Sequence, residues 1–157
     1  MTRNAWISVG LWLVALLITL SAAGYQRRTG PTYPVSGTLE IGGASGAFEW
    51  PRSGTTDGPA LVPWPDEVAV ADMWVQWRRY PSDDPFSRLE FSAHGAAELP
   101  VKPAAGKIEY FVEARTHEGR TVHLPSDGEA LVLRYKDPVP PAALIPHVAL
   151  MFLSMLF

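Results

Sequence analysis

Hydrophobic positions divide the chain into three regimes. Residues 4–26, "NAWISVGLWLVALLITLSAAGYQ", are apolar on every side and carry no charge. At about 1.5 Å per residue, such a helix reaches across a hydrocarbon layer of roughly 30 Å. Residues 27–137 switch to period-two alternation interrupted by Gly and Pro, the pattern of short strands that bury one face. Residues 138–157 are apolar again, with no charge beyond any on His147. The pattern predicts an N-terminal transmembrane anchor (1–26), a β domain at the membrane surface (27–137) and an apolar, membrane-embedded C-terminal tail helix (138–157).

Within the middle segment, "VSGTLEI" sets Val35, Gly37, Leu39 and Ile41 on one side, and Gly42-Gly43 allows a tight turn into "SGAFEW". "PRSGTTDGP" reads as a loop, followed by strands in "ALVPW", "EVAVA" and "MWVQWRRY". In the last of these, Met73, Val75 and Trp77 share one face and Trp74, Gln76 and Arg78 the other. "RLEFSA" adds a strand with Leu89 and Phe91 inward. "KIEYFVEART" puts Ile108, Tyr110, Val112 and Ala114 on one face and Glu109, Glu113 and Arg115 on the other. "HEG" then turns the chain into "RTVHL", with Val122 and Leu124 inward, and a last strand covers 129–135. About seven to nine such strands, without a soluble amphipathic helix, predict a mainly β fold, an antiparallel β-sandwich.

The stretch "LPVKPAAGKIEYFVEARTHEG" (99–119) resembles the segment of fibronectin-type-III and related immunoglobulin-like domains that enters their sixth strand and turns out of it. Leu99, Pro103, Gly106, Tyr110, Val112, Ala114 and Gly119 carry the match. The resemblance implies an immunoglobulin/fibronectin-III-like sandwich in which Tyr110 forms a corner, its hydroxyl bonding back to nearby backbone. It implies no particular activity, because this architecture hosts many. The strand at 129–135, after the return strand, is not part of the usual seven. With no cysteine in the chain, the Cys…Trp…Cys signature of antibody domains is absent.

Composition narrows the function classes. The 157 residues suffice for one ordinary domain plus appendages. A net charge of −3 offers no overall basic field for nucleic acid or anionic lipid. Zero cysteines remove disulfides, thiolate nucleophiles, zinc fingers and Cys-bound iron–sulfur clusters. The four histidines, His94, His117, His123 and His147, do not converge in the pattern. His117 and His123 flank one hairpin, and only Glu118 joins them at ligand spacing, so they read as exposed hairpin residues. No serine sits in G-x-S-x-G, and Asp83-Asp84 in "YPSDDPFS" lacks the alternating oxygens of a calcium loop. No catalytic or metal-ligating residue stands out, and the expectation is a non-enzyme.

Two stretches remain as candidate contact surfaces. Trp74, Arg78, Arg79, Tyr80 and Arg88 are of the residue types that anchor interfaces. The competing reading makes Trp77 the inter-sheet tryptophan and the arginines a solvated face, and a glycan stacked on the tryptophans is a third option. In the tail, Pro140, Pro141 and Pro146 let a helix begin near Pro141 or restart at Pro146. Either start falls at or below the length of a span, so Leu150, Phe152, Leu153 and Phe157 are expected to meet lipid or other membrane helices. His147, near the interface, is a candidate ligand for a haem or chlorophyll-type pigment, or a hydrogen-bonding partner of a headgroup or neighbouring subunit.

At the other end, Trp6 and Tyr25 flank the apolar run as interfacial rings do. The competing reading is a cleaved signal peptide, with Arg3, an apolar stretch and Ser21-Ala22-Ala23. Arg3 and the α-amine nearly balance Arg27 and Arg28, so the positive-inside rule does not decide orientation. The expectation is a bacterial inner-membrane protein with its β domain on the periplasmic side. Its expected role is a non-catalytic accessory or structural subunit that stabilises a larger membrane complex, respiratory or photosynthetic in type. Its partners would be other membrane-protein subunits and the lipid bilayer, with no nucleic acid. The alternative is a single-pass extracytoplasmic module that binds a soluble protein or glycan.

Overall fold

The computed structural model describes residues 3–126 and 128–154. The chain divides into two compact units, Met1–Tyr33 and Pro34–Phe157. The first carries helix α1 (Arg3–Thr29), whose stretch Trp6–Thr29 is long and apolar enough to cross a membrane and is nowhere buried. Two of its hydroxyls are satisfied within the helix. Thr19 and Thr29 donate to the carbonyls of Ala15 and Tyr25, each at 2.9 Å, as hydroxyls do where water is scarce. Arg27 and Arg28 sit in the last turn, where cations complement the helix dipole.

The second unit is mainly strands. In chain order they are β1 (Val35–Ile41), β2 (Ala44–Trp50), β3 (Ser53–Thr55), β4 (Ala60–Pro63), β5 (Asp72–Arg79), β6 (Ser87–Glu90), β7 (Ala96–Leu99), β8 (Lys107–Arg115), β9 (Thr121–Leu124) and β10 (Leu131–Lys136), followed by helix α2 (Pro141–Ser154). The larger sheet runs β3-β10-β8-β5-β6, with β9 also on β8. All its pairs are antiparallel except β3 with β10. The antiparallel pairs β1–β2 and β4–β7 make up the remaining strand pairing.

Strand β8 is the hub. β5 pairs with it from Ile108 to Arg115. On its other edge β10 covers Lys107–Tyr110 and β9 covers Val112–Arg115. The return strand and the last strand therefore share one lane, end to end. Alternation does the rest: Ile108, Tyr110, Val112 and Ala114 are fully buried and join Val75, Leu133 and Tyr135 with Leu39, Trp50, Val62 and Leu99 from the smaller pairs in one apolar cluster. Ring side chains also bind this core to the backbone around it. Trp50 Nε1 donates to Pro63 O at 2.8 Å, and Tyr135 Oη donates to Leu99 O at 3.4 Å.

Several local expectations give way to tertiary contacts. Tyr110 does not turn its hydroxyl back onto neighbouring backbone; it donates to Pro51 O at 2.7 Å, after β2. "EVAVA" is not a strand: Val68 N–H closes a turn onto Pro65 O (3.1 Å), and the Val68 carbonyl is taken by Trp64 Nε1 at 2.7 Å. Those groups are thereby withdrawn from any sheet ladder. Conversely, Ser53–Thr55, inside the expected loop, forms β3. Gly54 makes that possible, because a Cβ there would stand 2.9 Å from the Tyr135 ring.

Helix α2 begins at Pro141, with Ala143 and Leu144 N–H groups bonded to Pro140 O, and continues through Pro146. Pro146 has no N–H, so the Ala142 carbonyl lacks its usual helical donor. Among the described residues α2 packs against no strand and none of its side chains is buried.

Burial raises the pKa of the Tyr110 hydroxyl well above the usual tyrosine range, opposed by the nearby Arg52 charge. It raises that of Tyr135 too, opposed by a hydrogen bond with the Ala60 backbone. Both hydroxyls hold their protons to higher pH in the fold than in the unfolded chain, which ionises near pH 10. The stability they confer is thus complete below that pH and lost as pH rises through it. Above about pH 10, stability should fall by up to about 1.4 kcal/mol per pH unit for Tyr110, with a smaller contribution from Tyr135. Tyr110→Phe should cost about 1 kcal/mol at neutral pH, by orphaning Pro51 O, and flatten the alkaline slope. Denaturant titration of the full chain in mild detergent at several pH values reads both effects.

Candidate functional site

The solvent face of the β6–β5–β8–β9 sheet carries alternating charges and rings that satisfy one another. Trp74 is buried beneath arginine side chains: the Arg88 guanidinium carbon stands 4.0 Å from its ring and that of Arg115 5.6 Å. Arg88 is held there by Asp72 at 3.2 Å and Glu90 at 2.5 Å. Below, Glu113 gathers donors from two neighbouring strands. Its Oε2 accepts from Trp74 Nε1 at 2.5 Å and Gln76 Nε2 at 3.0 Å, and its Oε1 lies 3.2 Å from His123 Nδ1. Further along, Arg78 pairs with the buried Glu109 at 2.5 Å and stacks on Phe86 at 4.4 Å, and Phe86 meets Phe111 edge-on at 5.0 Å.

The stretch expected to present one surface is therefore split. Trp74, Arg78 and Arg88 are committed to contacts within the sheet. Met73, Val75 and Trp77 lie on the opposite, core side. Arg79 and Tyr80, at the end of β5, are exposed and, with Arg78, line a cleft of about 680 Å³. That cleft lies between the end of β5, the 80–87 loop and the loop that enters β8. Lys102, Lys107, Trp77 and Asp84 are among its other walls. Lys102 Nζ stands 5.0 Å from the Trp77 ring and Lys107 Nζ 5.8 Å from Tyr80. Arg79 reaches Asp84 only loosely, at 3.8 Å with both side chains solvated.

His117 lines a smaller pocket of about 420 Å³ with Thr116, Glu118 and Arg120. His94 is exposed in the β6–β7 turn. Among the described residues no group of three or more His, Asp or Glu side chains is placed to hold a metal ion. His147, Leu150 and Leu153 are exposed on α2, Phe152 is half-buried, and Phe157 lies outside the described residues.

Lys102, Lys107, Phe86, Phe111 and Glu113 were not among the expected contact residues. The two lysines lie far along the chain from Arg79, and only the Arg79–Ile108 register brings them together. No protein-family model matches the chain, and no curated protein matches it. The geometry defines a β domain accompanied by one apolar N-terminal helix.

Replacing Glu113 with Ala should orphan the buried Trp74 N–H and free Gln76 and His123 together. The expected loss is about 1–3 kcal/mol in denaturant unfolding. Glu113→Gln, which keeps one acceptor, should lose clearly less; equal losses would contradict the donor-gathering role.

Proposed function

We propose that this chain is a non-catalytic, membrane-anchored accessory subunit whose β domain rests on the bilayer and braces neighbouring subunits of a larger assembly. One topological observation carries the reading: both flanking segments join the β domain at the same end. The end of β1 (Glu40, Ile41) lines a pocket with the β8–β9 turn (Thr116, His117, Glu118), so the start of β1 lies toward the other end of β8, where β10 finishes beside Lys107. The first residue of β1 and the last of β10 thus lie toward the same end, and short connectors (30–34 and 137–140) lead to the apolar helices.

Helix α2 supports the company this role requires. It is apolar, bare and unattached to the sheets, a surface that water does not tolerate. The Ala142 carbonyl freed by Pro146 needs a donor, and lipid tails supply none, so a polar group of an adjacent subunit fits there. His147, one residue on and exposed, would meet such a neighbour.

The domain itself fits an immunoglobulin/fibronectin-III-like sandwich. The sheet β3-β10-β8-β5-β6 would face a second layer from β1, β2, β4 and β7, and the shared apolar cluster supports that pairing. The hydrogen bond from Tyr135 in one sheet to Leu99 in the other supports it too.

Purification in mild detergent from the native membrane tests the role. The full chain should resist alkaline carbonate extraction and migrate with other membrane proteins in fixed ratio, and a variant lacking 144–157 should lose them. A lone monomer, or a deletion that leaves its function intact, would favour a self-sufficient binding module instead.

A further inference from the structure

The cleft at the end of β5 combines four observations that nothing in the accessory role requires. Its walls hold Arg78, Arg79, Lys102 and Lys107 against a single carboxylate, Asp84. Arg78 is neutralised by Glu109 and Arg79 is loosely paired, but among the described residues neither lysine is in an ion pair. Each ammonium instead faces a ring, Trp77 or Tyr80. A ring holds a cation in place without cancelling its charge, so the cleft keeps a standing positive potential.

The rim is also fixed in shape. Pro81, Pro85 and Pro103 restrict the backbone on both sides of the opening. Two residues after Pro103, Ala105 takes φ of 64°, which a side chain adopts at a cost. It is held there because Ala105 N–H bonds Tyr135 O at 2.9 Å while Gly106 N–H bonds Pro103 O at 2.8 Å. A volume of about 680 Å³ lies within the range of small-molecule sites.

We infer that this cleft binds a phosphate group, and that its source is the phosphodiester headgroup of an anionic glycerophospholipid. The choice of source rests on the membrane-surface reading above. β5 ends, and β8 begins, at the same end of the domain where β10 finishes and β1 starts. The cleft therefore opens at the end from which both connectors leave. Tyr80 and Val101 are exposed at that end, the kind of residues that enter the headgroup zone.

The test uses the full chain in a neutral detergent, titrated calorimetrically with short-chain phosphatidylglycerol, short-chain phosphatidylcholine and inorganic phosphate. Phosphatidylglycerol should bind and phosphatidylcholine should not. Lys102→Gln and Lys107→Gln should each weaken binding about fivefold, since a basic residue at an anionic lipid surface contributes about 1 kcal/mol. Arg120→Gln, beside the β8–β9 turn at the opposite end of the domain, should leave it unchanged, and unaltered thermal melting shows that the variants remain folded. Failure of phosphatidylglycerol to bind, or binding indifferent to both lysines, overturns the proposal. Inorganic phosphate binding as tightly as the lipid, with the same loss in the lysine variants, overturns the lipid source. The membrane reading is checked separately by carbonate extraction of the same chain: retention in the membrane without lipid selectivity would sink the cleft alone. Extraction with phosphate binding intact would sink the membrane reading and the lipid source, leaving a phosphate site.

Discussion

Strand β8 is hydrogen-bonded along both edges, and most of the domain follows from that. Its eight-residue pairing with β5 fixes which side chains of both strands face inward. A slip of one residue would carry Ile108, Tyr110, Val112 and Ala114 to the solvent face and Glu109 and Glu113 into the core. Because β10 and β9 divide its other edge, the end of β10 is held beside the start of β8. That placement sets where the chain leaves for α2. It also sets where the 103–106 loop meets Tyr135. A core contact thereby decides the geometry of the cleft and of the tether.

The same strand separates two kinds of charge. On its solvent face Glu109 and Glu113 are engaged by Arg78, Trp74, Gln76 and His123, so that surface is a rigid, self-satisfied lattice. At its start the Lys107 ammonium faces an aromatic ring, as that of Lys102 does in the adjoining loop, and among the described residues neither is in an ion pair. Paired charge of the first kind contributes to folding and little to recognition. Unpaired charge over rings is the kind that a partner can use. The modest net charge of the whole chain conceals this difference.

Much of the fold was legible because it rests on period-two burial. β1, β2, β4, β5, β8 and β9 follow directly from alternating apolar positions, and α1 from an uninterrupted apolar run. β3 and β7 were illegible: "SGT" and "AAEL" have no alternation of their own and become strands only by pairing with β10 and β4. "EVAVA" erred the other way, its propensity overridden by the Trp64 indole. Of the expected contact face, the residue types were readable and their assignment was not. Trp74 lies beneath two arginines, of which Arg115 is remote in sequence, and the lysines of the cleft reach Arg79 only through the β5–β8 register. Long-range pairing leaves no local trace.

The central claim is a domain lying on the bilayer with its tethered end inward. The cysteine-free chain suits a direct measurement. Single spin labels placed through Ser82→Cys in the β5–β6 loop, Glu118→Cys at the opposite end and Ala149→Cys on α2 would report depth in reconstituted full-length protein. Collisions with apolar oxygen and a polar nickel complex give that depth. The account predicts oxygen dominance at 149, an interfacial balance at 82 and full exposure to nickel at 118. Water-like exposure at 149, or a label at 118 as deep as that at 82, would contradict it.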